Sequence, residues 1–300
     1  MCSIAGGGQN DILKNELTWN KLFIDINWES EITDKIIPAS EIFNINRGER
    51  RGWDKMFYPD SGNSIEIDYL KPVLKNPKEI LSLVTSAKSF AFCCNKTIDE
   101  LKILGHLNTL NWINKFEFES NEKGKPLIKV LSREGSLWYE MNDSNMADFV
   151  ANINYNDRLF IAKLENRSFV NQRFTRLKIK NNETNLDFIH ALLNSTLGLY
   201  FIESIGFGRA LGALDLSTER LGNLKMLNPN IIKLNTQLDI ISSFNKIKNR
   251  EILPLLEELE RGDRIEFDKI VLESFGIANY QMKIYESIKE LFKMRKMNID

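Results

Sequence analysis

Seven cations crowd one short stretch of the chain. Arg158, Lys163, Arg167, Arg173, Arg176, Lys178 and Lys180 fall within residues 158–180, where Glu165 is the only acid. Guanidinium and ammonium groups at this density suit a polyanion, because each phosphate they neutralise releases a condensed counterion. In an extended strand Arg176, Lys178 and Lys180 share one face while Leu177 and Ile179 point to the other, giving a cationic ridge on an apolar base. Asn152, Asn171 and Gln172 stand close by with amides of the kind that read base edges. A solvated strand face has the same charge pattern, so the ridge alone does not choose between the two. A second basic stretch, Asn46-Arg47-Gly48-Glu49-Arg50-Arg51-Gly52-Trp53-Asp54-Lys55, carries two glycines four apart, which imply a tight loop between strands. Its cations are Arg47, Arg50, Arg51 and Lys55, and Trp53 is available for stacking or packing.

The constellations of common enzymes are missing. His106 and His190 lie far apart, with no carboxylate or cysteine at zinc spacing, and are expected to be structural. There is no Walker phosphate loop and no G-x-S-x-G elbow. Gly206-Phe207-Gly208 follows a helical pattern and precedes alternation, the reverse of a dinucleotide turn. Asp60, Glu100 and Lys102 could surround a metal as in a nuclease, although Glu100 falls in the first turn of a capped helix. Ser195 has no base beside it.

The 300 residues suffice for a sizeable core, and 40 basic against 41 acidic residues say nothing by themselves about partners. Any nucleic-acid signal must therefore be local. Cys2, Cys93 and Cys94 form an odd set, and the adjacent pair in an apolar run reads as buried thiols of a reducing compartment. Without a secretory leader or a run near 20 apolar residues, a cytoplasmic protein away from membranes is expected.

Periodicity outlines the elements that hold these residues. Leu17, Trp19, Leu22, Phe23 and Ile26 make a helical stripe, and residues 36–38 end it or form a short strand. Residues 41–45 alternate as a strand, residues 68–75 suggest a short helix or turn, and residues 89–94 an apolar strand. Thr97 and Glu100 form a capping box, with Ile98, Leu101 and Leu104 turned inward. Residues 149–153, 158–164 and 169–180 read as a β-meander. Asn185 then caps one helix with an apolar face from Leu186 to Phe201, and a glycine-rich segment spans residues 206–216. Beyond residue 230 the pattern is helical. The fold class expected is α+β: a lead-in segment (1–40), a β-rich domain with packed helices (41–230) and a C-terminal helical section (231–300).

In their order, several segments resemble a known family. They are Ile45-Asn46-Arg47-Gly48 with Gly52-Trp53-Asp54-Lys55-Met56-Phe57; Leu70-Lys71-Pro72-Val73-Leu74-Lys75; Leu192-Leu193-Asn194-Ser195 with Gly206 to Leu216; and Arg264-Ile265-Glu266-Phe267-Asp268-Lys269-Ile270-Val271-Leu272. Together they are similar to the C-terminal target-recognition region of N6-adenine DNA methyltransferases of restriction–modification systems, the TaqI-like and type IIG class. The chain departs from that family in having no two adjacent prolines, so the Asn/Asp-Pro-Pro-aromatic catalytic motif is absent, as is a convincing S-adenosylmethionine loop. The resemblance thus implies a recognition half without catalysis of its own. It implies double-stranded DNA and a methyltransferase catalytic subunit or domain as partners, with S-adenosylmethionine bound there and no cofactor in this chain. Self-association through the C-terminal helices is a further expectation. Alternatives are an interaction scaffold of such a complex and, of another class, a restriction endonuclease. The residues expected to contact DNA are Arg173, Arg176, Lys178 and Lys180, then Arg47, Arg50, Arg51 and Lys55, then Arg209. The run from Arg173 through the apolar helix to Leu216 is expected to present a DNA-contacting edge.

Overall fold

A computed structural model describes residues 26–209 and 212–297. The stripe at Leu17, Trp19, Leu22 and Phe23, Cys2, and Ala210 and Leu211 of the glycine-rich segment lie outside the described residues. In chain order the strands are β1 (Ile36–Pro38), β2 (Phe43–Arg47), β3 (Leu70–Leu74), β4 (Val84–Thr85), β5 (Ser89–Phe92) and β6 (Ala147–Asn152). They continue with β7 (Asn154–Tyr155), β8 (Ala162–Val170), β9 (Phe174–Ile179), β10 (Phe207–Arg209), β11 (Ala213–Asp215) and β12 (Lys225–Leu227). Helices and mixed sheets share the chain, an α+β fold.

The main sheet has the order β2-β9-β6-β8-β3-β5, with β4 added beside β8. All six residues of β6 are buried, as a central strand covered on both faces requires. A simple meander would have placed β9 beside β8; instead β9 pairs with β2 and β6, Phe149 lying opposite Leu177. The basic strand is therefore interior to the sheet rather than at its edge. Of residues 68–75, Asp68 and Tyr69 lie in a 3-10 turn (Ile67–Tyr69), but Leu70–Leu74 is strand and not helix or turn: β3 runs antiparallel to β5 and parallel to β8. Pro72 is tolerated because the β8 ladder engages only Val73 and Leu74, so no N–H is demanded of the proline on that side.

Adjacent residues of β3 and β8 separate two cores. Leu74 and Val170 enter the larger one, with Phe149, Phe188, Tyr200, Phe244 and Phe267. Val73 and Phe169 enter the smaller one, with Met56, Phe57, Phe92, Leu101, Leu127 and Tyr139. Successive side chains of a strand point to opposite faces, so one ladder walls off both clusters. The capping box forms as expected, Glu100 N donating to Thr97 Oγ1 at 3.2 Å and Thr97 N to Glu100 Oε2 at 2.7 Å. Leu101 is buried, whereas Leu104 is 51% exposed.

The apolar stretch after Asn185 is two helices, Leu186–Leu193 and Thr196–Ile205, bent by 63°. Ser195 starts the second by accepting from Gly198 N at 3.2 Å, and the Asn194 amide bonds both polar groups of Ile161. No single helix among the described residues is long and apolar enough to cross a membrane.

His190 lies within the larger core, its Nε2 paired with Ile161 O at 3.2 Å, and burial pulls the imidazole down to about 3. Its folded value lies below the ordinary 6.5, so the unfolded chain takes the proton first as pH falls. This contribution is complete above pH 6.5 and is lost between there and pH 3, at about 1.4 kcal/mol per pH unit. Urea unfolding of the wild type and His190→Gln at pH 7 and pH 5 should show the wild type losing more stability on acidification. Equal losses would mean that His190 is not held neutral.

Candidate functional site

The seven clustered cations meet different fates in the fold. Arg158 donates to Ile80 O at 3.4 Å, Lys163 pairs with Asp187 at 2.7 Å and Arg167 with Asp148 at 2.6 Å. On the ridge itself, Arg176 Nη1 donates to Asn145 O and lies 3.8 Å from Glu49 Oε1. Lys178 donates to Ser144 O at 2.7 Å, and Lys180 to Ser40 O at 2.5 Å. A phosphate could reach these three only by sharing or displacing a carbonyl. Arg173, exposed in the turn between β8 and β9, has a guanidinium without a protein partner among the described residues.

The first glycine loop divides in the same way. Arg51 is 8% exposed; its Nη2 donates to Trp138 O at 2.8 Å and its guanidinium stacks over Phe57 at 4.8 Å. Burial pulls it down to about 10, which leaves it charged at neutral pH, as a staple between the loop and the smaller core. Arg47 Nε donates to Gln172 O at 3.0 Å. Arg50 and Lys55 are exposed, and neither side chain has a protein partner among the described residues. Arg209 sits apart on the β10–β11 hairpin, paired with Asp215.

The structure brings this loop against the β8–β9 turn, which sequence separation conceals. Gly48 N donates to Phe174 O at 2.9 Å, Glu49 N to Val170 O at 2.7 Å, and Glu49 bridges Asn171 in parallel. The end of β2 thus returns to the end of β8, and the sheet curls on itself. Only glycine fits at position 48, because a Cβ would lie 2.6 Å from Val170 O and overlap Asn171 O. Between loop and turn opens a cleft of about 480 Å³, with Arg50, Trp53, Lys55, Tyr58, Asn171 and Gln172 among its lining.

Three lining or rim residues escaped the sequence reading. Tyr58 stands beside Asn171, its hydroxyl pushed up to about 12 by burial, and Lys75 caps its ring at 5.1 Å. Glu122 overhangs from the loop between the Leu107–Glu117 and Leu127–Leu131 helices. None carries a local pattern that could have marked it. Asn152 lines a different cleft, of about 400 Å³, with Lys78 and Arg158. Of the nuclease-like set, Glu100 is engaged in its cap and Lys102 pairs with Asp99 at 3.3 Å. Among the described residues no group of three or more His, Cys, Asp or Glu is placed to hold a metal ion. The cleft brings together the exposed cations Arg50 and Lys55, the amides of Asn171 and Gln172, the rings of Trp53 and Tyr58, and the carboxylates of Glu49, Asp54 and Glu122.

No family model matches this sequence, and no curated protein matches it. In fold, 95% of the chain is similar to part of the type IIG restriction endonuclease BpuSI, with a TM-score of 0.60 at 17% identity. The chain spans 35% of that enzyme's length. Another solved structure, the S subunit of a type I restriction–modification system from M. genitalium, matches 88% of the chain and 49% of its own, with a TM-score of 0.36 at 12% identity.

Proposed function

We propose that this chain recognises double-stranded DNA for a restriction–modification system and positions the target for methyl transfer on adenine N6 by a separate catalytic domain. The observation that carries this reading is the cleft between the first glycine loop and the β8–β9 turn, lined by Arg50, Lys55, Asn171 and Gln172, with Arg173 next in the turn; the three cations have no protein partner among the described residues. The likeness in fold to a type IIG restriction endonuclease supports it. Methylating a base requires swinging it out of the stack at a cost of a few kcal/mol, which a recognition surface offsets by gripping the flanking duplex. S-adenosylmethionine belongs, in this proposal, to the catalytic partner, since this sequence carries neither the two-proline motif nor a convincing S-adenosylmethionine loop. Backbone contacts come first from Arg50, Lys55 and Arg173, with Arg47, Lys178 and Lys180 able to share theirs.

Fluorescence anisotropy with duplex DNA across a sodium chloride series tests this. Each phosphate contact contributes about −0.9 to the slope of log K against log salt. Arg50→Ala with Lys55→Ala should therefore make the slope shallower by about 2 and weaken binding to all duplexes alike. Binding that is undetectable, or independent of salt, would end the proposal.

A further inference from the structure

We infer that Gln172 is the side chain with which this protein reads a base edge, and that the base is an adenine met in the major groove. The inference rests on the DNA-recognition reading above and goes beyond it by naming the reader and the base. Sequence alone offers Asn152, Asn171 and Gln172 as equivalent amides. Their surroundings separate them.

Asn152 is buried at the end of β6, its Oδ1 enclosed without a hydrogen-bond partner among the described residues, and it lines a different cleft from the free cations. Asn171 builds the turn: its Oδ1 accepts from Arg173 N at 3.2 Å and its amide hydrogen-bonds Tyr58. Its backbone donates to Leu74 O and accepts from Phe174 N, both at 3.0 Å. Gln172 is the reverse case. Its carbonyl is pinned by Arg47 Nε at 3.0 Å, while its half-buried side chain lines the cleft with no protein partner among the described residues.

A primary amide held through its backbone and open at its head presents one donor and one acceptor side by side. In the major groove adenine offers the matching pair, the N7 acceptor and the N6 amino donor, whereas guanine shows two acceptors and cytosine a donor alone. Arg50 lines the same cleft and Arg173 follows Gln172 in the turn, cations available for neighbouring phosphates, the usual division between contacts that set register and contacts that read sequence. The packing at Gly48 and the Arg47 bond hold the turn, so the backbone that carries the amide is fixed in place.

Selection of the full chain against a duplex library with a randomised window reads the result position by position. The wild type should enrich a motif containing an A·T pair that depends on Gln172. Gln172→Ala should reduce discrimination at that position by about tenfold or more while the other positions keep their ranking. Gln172→Glu, an acceptor only, should move the preference there from adenine to cytosine. A motif unchanged in both variants, or a uniform loss of all positions, overturns the assignment of Gln172 and leaves DNA recognition standing. A wild-type chain that enriches nothing overturns both.

Discussion

Arg295→Ala is expected to lower the stability of the fold by about 3–5 kcal/mol, because it leaves a buried carboxylate without its cation. Arg295, on the Gln281–Met297 helix, is 5% exposed, and its partner Glu203, on the Thr196–Ile205 helix, is 2% exposed. Two bonds join them, Nε to Oε1 at 2.6 Å and Nη2 to Oε2 at 3.2 Å. The same guanidinium donates to Gly212 O and, at 3.2 Å, to Asn156 O, so one side chain ties the last helix to the β10–β11 hairpin and to the segment after β7. Burial raises the Glu203 carboxyl and Arg295 opposes that rise. Without the arginine the carboxyl is driven toward its neutral form, and two carbonyls lose a donor. Thermal unfolding should show a fall in Tm of about 5–8 °C for a chain of this size. Glu203→Leu combined with Arg295→Met should recover most of the loss, since well-packed apolar replacements of a buried pair are often neutral or better. A single-variant cost below about 1 kcal/mol would show that the pair does not hold the helices.

Gly48→Ala is expected to act on stability and on binding together. Nothing flexible can yield, because a Cβ there would collide with the backbone oxygens of Asn171 and Val170. Separating β2 from the turn would stretch the bonds from Gly48 N to Phe174 O and from Glu49 N to Val170 O, at about 1–3 kcal/mol for the overpacking. It would also shift Gln172 and Arg173, and a displacement near 1 Å misaligns bidentate contacts, so site-specific DNA affinity should fall by about tenfold or more. Gly62→Ala is the control, as nothing lies within 4 Å of a Cβ there. Equal behaviour of the two variants in unfolding and anisotropy would show that the approach at Gly48 does not position the turn.

Local chemistry was legible wherever partners lie a few residues apart. Thr97 with Glu100 and Asn185 at the head of Leu186–Leu193 act as their spacing predicts. In β9 Arg176 and Lys178 are half-buried while Leu177 and Ile179 are buried, as the alternation of charged and apolar letters predicts. Strand pairing was not legible: the letters of β9 do not say that it sits between β2 and β6, and Pro72 disguised β3. The break at Asn194–Ser195 was hidden in the same way, because the residues that justify it, Ile161 and Asp268, lie elsewhere in the chain.

By itself the sequence determined the class of fold, the helix caps, the alternation of the basic strand and the inventory of cations and amides near residues 47–55 and 158–180. Only the tertiary structure decided which of those groups are open to a ligand. Lys180 is answered by a carbonyl 140 residues away and Arg47 by one 125 residues away, while Arg50, Lys55, Arg173 and the Gln172 amide meet no such partner among the described residues. The physical reason is that charge is a property of a residue, whereas its availability depends on the polar groups that folding brings within about 3 Å.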